Sequence, residues 1–201
     1  MKMSEAPMQD STLTDQLTDE ERKILLKIAR QALEAGVRGE PLPQLRLEEL
    51  PPRLRQEGSA FVTLTRRGQL RGCIGGLEAY QPLAEDVRQH AVAAALQDYR
   101  FPPVEPHELP EINIEISRLS KPVPLQYETP EELPKLLRQG IDGVVLKDGL
   151  RRATFLPQVW EKIPAPELFL DMLCQKMGAP PDLWRRKKLE VFIYQVEEFH
   201  E

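Results

Sequence analysis

The sequence predicts an α+β domain in which helices flank a mixed or mainly antiparallel sheet. Three observations predict it. Runs of branched and aromatic residues face each other across tight turns at residues 60–75 and 143–156. Amphipathic stretches with helix-start signals lie before, between and after these pairs. The 201 residues include 19 prolines against 11 glycines, which cuts the chain into short elements and argues against a bundle of long helices.

Taken in order, residues 1–17 are polar and without period, and read as a mobile tail ahead of a single domain spanning 18–201. Thr18 and Glu21 have capping-box spacing, and Leu25, Ile28, Ala29, Ala32 and Leu33 then form one apolar stripe ending at Gly36, which predicts a first helix. Prolines 41, 43, 51 and 52 make the next stretch an irregular connection. Residues 60–65 and 70–75 read as a hairpin around Arg66-Arg67-Gly68-Gln69. Pro82 opens a helix with Leu83, Val87, Ala91 and Ala94 on one face. Residues 98–110 carry four prolines and read as a loop, and Ile112, Ile114 and Ile116 alternate with polar residues as a half-buried strand.

Thr129-Pro130-Glu131-Glu132 predicts a further helix stopping before Gly140. A second hairpin follows over 143–147 and 150–156, turned at Asp148-Gly149, and a short helical segment follows Pro157. Leu70-Arg71 beside Leu150-Arg151 is the pattern of a duplicated hairpin-helix unit, on a match too short to establish one. Leu168, Met172 and Leu173 mark a helix closed by Gly178, and residues 188–199 read as one long final strand.

The net charge of −5 gives no general grip on nucleic acid or anionic lipid. The longest apolar run, residues 91–96, is far short of the roughly 18 to 20 residues of a membrane helix. The first residues lack the pattern of a secretion signal, so a cytoplasmic protein with two reduced cysteines, Cys73 and Cys174, is expected. Gly-x-x-x-x-Gly-Lys-Ser/Thr, Gly-x-Gly-x-x-Gly, Gly-x-Ser-x-Gly and His-Glu-x-x-His are all absent, so no standard cofactor is called for. Three histidines and no Cys-x-x-Cys pair call for no metal.

The densest signal is Leu70-Arg71-Gly72-Cys73-Ile74-Gly75-Gly76. Strand alternation puts Arg71 and Cys73 on one face, where a guanidinium favours a thiolate. Gly72 and Gly75 leave backbone open to a ligand. The competing reading makes Cys73 a small buried hydrophobe and the glycines bends in a strand. Asp98 and Arg100 flank Tyr99 on a proline-stiffened loop, either as ligand-binding charges or as a pair that pins the loop. Glu115 shares a polar strand face with Asn113 and is a candidate general base.

His90 reads as a boundary residue of its helix, with a Cys73–His90 dyad as the alternative. His107 and His200 read as solvated, and Cys174 as core. Trp184-Arg185-Arg186-Lys187-Lys188, with Arg66-Arg67 and Arg151-Arg152, reads as solvated charge in preference to an RNA-binding patch.

At residues 70–75 the sequence resembles the signature hexapeptide of the AMMECR-type domain family, whose prokaryotic members include a component of the AmmeMemoRadiSam gene system. Residues 58–64, 98–103, 114–117 and the Ala-Thr-Phe-Leu-Pro-Gln-Val segment at 153–159 agree in order. The resemblance implies two lobes with a cleft between them and an association with Memo-type and radical-SAM proteins. It implies no reaction.

Two readings of function follow. In one, the chain is an enzyme or enzyme component in which Cys73 is the nucleophile or redox thiol, Arg71 stabilises an anion, Glu115 transfers protons, and Gly72, Gly75, Asp98 and Arg100 bind substrate. In the other it is a binding or adaptor module for a peptide, nucleotide or small anion, with Cys73 part of the wall.

Overall fold

A computed structural model describes residues 16–201. The expected tail therefore lies outside the described residues except at its end, where Leu17 is a core residue, 3% exposed. Its N–H donates to the Glu197 carboxylate, and the Gln16 carbonyl accepts from the Arg53 guanidinium. An apolar side chain that can enter the core anchors the chain just before the first helix.

That helix, α1 (Asp19–Arg38), starts as its capping box requires: the Thr18 hydroxyl accepts from Glu21 N–H at 3.2 Å, and the Glu21 carboxylate accepts from Thr18 N–H at 2.8 Å. It runs past Gly36 and stops at Gly39, whose φ of 69° is left-handed. Gly36 serves a contact instead. A Cβ there would stand 3.0 Å from Val92 in the helix packed against it.

A single turn, α2 (Pro52–Arg55), precedes the hairpin of β1 (Ser59–Arg66) and β2 (Gln69–Gly75), and α3 (Leu83–Leu96) follows it. Then come β3 (Ile112–Leu119) and the two-residue β4 (Val123–Pro124). The second half comprises α4 (Leu133–Leu136), β5 (Gly143–Asp148), β6 (Arg151–Phe155), α5 (Val159–Lys162), α6 (Pro166–Lys176), α7 (Leu183–Arg186), β7 (Glu190–Tyr194) and β8 (Val196–His200). Two four-stranded sheets result, ordered β2-β1-β3-β8 and β4-β7-β5-β6, and every pairing is antiparallel. The fold class is α+β, as the residue pattern predicts.

Each sheet has its own core. Ala60, Val62, Leu64, Ile114, Ile116 and Phe199 pack under α1 and α3 in the first. In the second, Val144, Leu146 and Val191 meet Phe169, Leu170 and Leu173 of α6. Trp160 stacks on Phe169 at 3.7 Å and donates to the Asp142 carbonyl at 2.7 Å. Cys174 is fully buried here, and burial pushes its thiol up.

Two predicted elements differ. The helix expected from Thr129 to Gly140 shrinks to a 3-10 turn and the four residues of α4; Thr129 makes no capping bond, and Pro134 has no N–H for a longer ladder. The single long final strand is two strands, β7 and β8, which pair in different sheets on either side of Gln195. Strands β3 and β4 divide likewise around residues 120–122. At the crossing, Ser120 N–H donates to the Gln195 carbonyl at 2.8 Å and Gln195 N–H to the Ser120 hydroxyl at 2.9 Å. Leu119, Val145 and Tyr194, with Phe61 and Phe192 against them, form a small third core between the sheets.

The hexapeptide glycines are packing positions. A Cβ on Gly72 would lie 2.1 Å from the Ala94 carbonyl oxygen of α3, and one on Gly75 would lie 2.5 Å from the Phe61 Cα. The space beside these glycines in the Cβ direction is taken up by α3 at Gly72 and by β1 at Gly75. Replacing Gly72 with Ala should destabilise the domain by about 2 kcal/mol or more through forced separation of α3 from the sheet, read by urea unfolding. Unchanged stability would mean that α3 shifts freely.

Candidate functional site

Strand β2 is an edge of its sheet, so one side of its backbone lacks a neighbouring strand. At Cys73 the missing partner is replaced by side chains. The Asp98 carboxylate accepts Cys73 N–H at 2.8 Å, and the Arg100 guanidinium donates to the Cys73 carbonyl at 3.1 Å. Asp98 and Arg100 also bind each other, at 2.9 and 2.7 Å. The Arg100 guanidinium, joined by the N–H groups of Cys73 and Arg100, holds the Asp98 carboxyl far below the usual range although burial opposes it. Asp98 and Arg100 thus form an internal pair within the loop. Tyr99 between them is 95% exposed.

Arg71 does not share the face of Cys73 as simple alternation predicts. The register runs Leu64 opposite Gly72 and then Thr65 opposite Leu70, so Arg71 is the extra residue of a bulge. Its guanidinium binds both oxygens of Glu108, at 3.0 and 2.9 Å, and donates to the carbonyls of Pro102 at 2.9 Å and Pro103 at 3.3 Å. Arg66 adds a third bond to Glu108 at 2.9 Å and one to Glu111 at 2.7 Å. Arg71, helped by the Glu105 N–H and Arg66, holds the Glu108 carboxyl down at about 2. Glu108 has no sequence signal, because its partners lie 37 and 42 residues away.

The Cys73 side chain is half-buried, and the Thr63 hydroxyl donates to its sulfur at 3.3 Å. Strand register extends this contact into a row across the sheet: Cys73 faces Thr63, Thr63 faces Glu115, and Glu115 faces His200. Cys73 and Glu115 thus share a face two strands apart, roughly 10 Å at the backbone. His90 belongs elsewhere: it lies on α3, under the opposite face, with Nδ1 3.1 Å from the fully buried Asp86 carboxylate. Asp86 in turn accepts Ala60 N–H at 2.9 Å. The alternative Cys73–His90 dyad is not formed. Among the described residues, no group of three or more His, Cys, Asp and Glu side chains is arranged to hold a metal ion.

The basic runs are paired with acids: Arg66 and Arg67 with Glu111, Arg151 and Lys187 with Asp148, Arg185 with Asp171 and Arg186 with Asp182. No described helix is long and apolar enough to cross a membrane. A cavity of about 490 Å³ lies where α2, the start of β1, the loop after β2, the crossing after β3 and Arg152 of β6 converge. The sequence gives no sign of it, since its walls come from five separate segments.

The profile of the AMMECR1 family matches residues 26–199. The chain belongs to the AMMECR1 family. Similar family members include a protein of Methanothermobacter thermautotrophicus, 42% identical over 92% of this chain and 96% of that one. Another, from Thermofilum pendens, is 39% identical over 92% of both chains. The crystal structure of the uncharacterized protein PH0010 from Pyrococcus horikoshii superposes with a TM-score of 0.75 at 33% identity, covering 92% of this chain and 93% of that one. The AMMECR1 hexapeptide here is thus an edge strand sealed by Asp98 and Arg100 and clamped through Arg71 and Glu108.

Because Glu108 binds protons less readily folded than unfolded, its contribution is complete above the ordinary carboxylate range and is lost as pH falls toward about 2. Glu108→Gln should lower stability at pH 7 and flatten the decline between pH 5 and 2, measured by urea unfolding across that range. An unchanged acid slope would show that the clamp carries no pH-dependent stability.

Proposed function

We propose that this AMMECR1 domain is an enzyme component that presents Cys73 as its reactive group to chemistry completed by a partner. The observation that carries the reading is the state of Cys73 itself: backbone N–H and carbonyl are both fixed by Asp98 and Arg100, while the thiol is half-buried beside Thr63 on a polar row. A rigid backbone fixes the position of the sulfur. The Arg100 guanidinium, bound to the same residue, supplies the nearby positive charge that the sequence assigned to Arg71.

Among the described residues, no acid or base hydrogen-bonds the sulfur. Glu115, two strands away, reaches a reacting group only through a bound substrate or water, which makes it the proton-transfer candidate for a ligand spanning the row. In this reading Arg71, Gly72 and Gly75 build the strand, while Asp98 and Arg100 hold Cys73 in place. The remaining chemistry falls to a second protein, and the family's gene-system association points to Memo-type and radical-SAM proteins in the cytoplasm. A binding or adaptor role is the second reading, favoured by the separate cavity at the lobe junction.

Alkylation tests the first reading. In a Cys174→Ser background, Cys73 in the folded chain should react with iodoacetamide within about tenfold of a free cysteine at the same pH. Arg100→Gln, which removes the charge beside it, should slow that reaction. A thiol that reacts only after unfolding would make Cys73 a wall residue and leave the binding role.

A further inference from the structure

The way the edge of β2 is closed sets the contact between Thr63 and Cys73. Both backbone groups of Cys73 are bound from outside the sheet, its N–H by Asp98 and its carbonyl by Arg100, so neither is exchanged with Thr63 across the ladder. Antiparallel neighbours of that kind stand about 4.5 Å apart at Cα, the closer of the two ladder spacings, and their side chains meet. The next pair in the row, Thr63 and Glu115, takes the wider spacing of about 5.5 Å. The hydroxyl of Thr63 accordingly goes to the thiol side, 3.3 Å from the Cys73 sulfur.

Thr63 is suited to hold that bond. It lies on β1, which is paired on both sides, and its branched Cβ leaves few rotamers. The sulfur is the one hydrogen-bond partner of its side chain among the described residues. A hydroxyl donating to a thiol makes a weak bond, whereas the same hydroxyl donating to a thiolate makes a charge-assisted one about twice as strong. The contact therefore favours the ionised sulfur.

The charged groups around Cys73 come from three elements. Asp98 and Arg100 in the loop after α3 bind its backbone, Glu115 faces it from β3 beyond Thr63, and His200 lies beyond Glu115 on β8. Arg71 is turned to Glu108. Asp98 is neutralised by Arg100, and Glu115, roughly 10 Å away at the backbone, opposes ionisation weakly through solvent. None of these groups hydrogen-bonds the sulfur, which leaves Thr63 as its direct polar support.

We infer that Thr63 is a positioning residue for Cys73, its hydroxyl holding the sulfur in place and stabilising the thiolate. The inference rests on the reading of Cys73 as the reactive group. On ionisation the thiol proton passes to solvent, while the Thr63 O–H stays intact and donates to the sulfur that attacks an electrophile.

The test is alkylation by iodoacetamide, which forms an S–C bond and releases iodide, followed from pH 6.5 to 10.5 in the full chain carrying Cys174→Ser. Thr63→Val keeps the branched shape and strand preference and removes the donor, and Thr63→Ser keeps the donor. Loss of the bond leaves less thiolate at low pH but a more nucleophilic thiolate once ionisation is complete. The Thr63→Val rate should be about two- to threefold below the parent rate at pH 6.5 and about twofold above it at pH 10.5, so that the two profiles cross, and Thr63→Ser should follow the parent. A purely structural role would change access by one factor at every pH. A constant ratio, equal rates throughout, or a Thr63→Ser profile that follows Thr63→Val would overturn the inference and leave the reactive Cys73 standing. A parent Cys73 that reacts only after unfolding would overturn both. Thr63→Ala takes the place of Thr63→Val if the valine chain does not unfold cooperatively like the parent.

Discussion

The two sheets in this protein are joined by two chain segments, β3 to β4 and β7 to β8, which pass from one sheet to the other at a single place. Ser120 and Gln195 make that change with two hydrogen bonds, one to a carbonyl and one to a hydroxyl, where an uninterrupted ladder would have kept both strands in one sheet. Everything on either side follows. Leu119 and Tyr194, adjacent to the crossing, become the centre of the small core between the sheets, and residues 118–122 are brought to the cavity wall. A turn built from glycine or proline would redirect one strand. A paired crossing redirects two together, with the pairing offset by one residue: Leu119 faces Val196 before it and Val123 faces Ile193 after it.

A second constraint is the exposed edge of β2. Edge strands invite pairing with another chain, and this one is closed by charge in place of a strand. Asp98 and Arg100 satisfy the backbone of Cys73, while Arg71 and Glu108 tie the following loop to the bulge two residues earlier. The loop of residues 98–111 thereby becomes part of the sheet's boundary. Its prolines reduce the entropy lost on ordering it, which lets a segment with little regular structure hold a fixed position.

These two constraints separate structure from chemistry within the hexapeptide. Arg71 and the glycines are fully engaged with neighbouring protein, so their identity is dictated by packing and pairing. The thiol of Cys73 is left half-buried, on the face away from α1 and α3, and Leu70 at the start of the motif is exposed. The cavity stands apart from it, beside the crossing, lined in part by residues 118–122 and Arg152.

The sequence by itself determined the local parts: the capped first helix, both hairpins, the three-isoleucine strand and the burial of Cys174. Each depends on contacts within a few residues, where period, caps and turns act directly. It also singled out Cys73 and the Asp98–Arg100 pair as candidates in separate segments, without bringing them together. The tertiary structure decided what register and long-range pairing control. The bulge that turns Arg71 away from Cys73 depends on a partner strand, the split of the final strand depends on Ser120 some 75 residues earlier, and Glu108 acquires its role from arginines on a different hairpin. No local pattern encodes such meetings, because side-chain period fixes which face a residue takes but not which neighbour the fold brings to it.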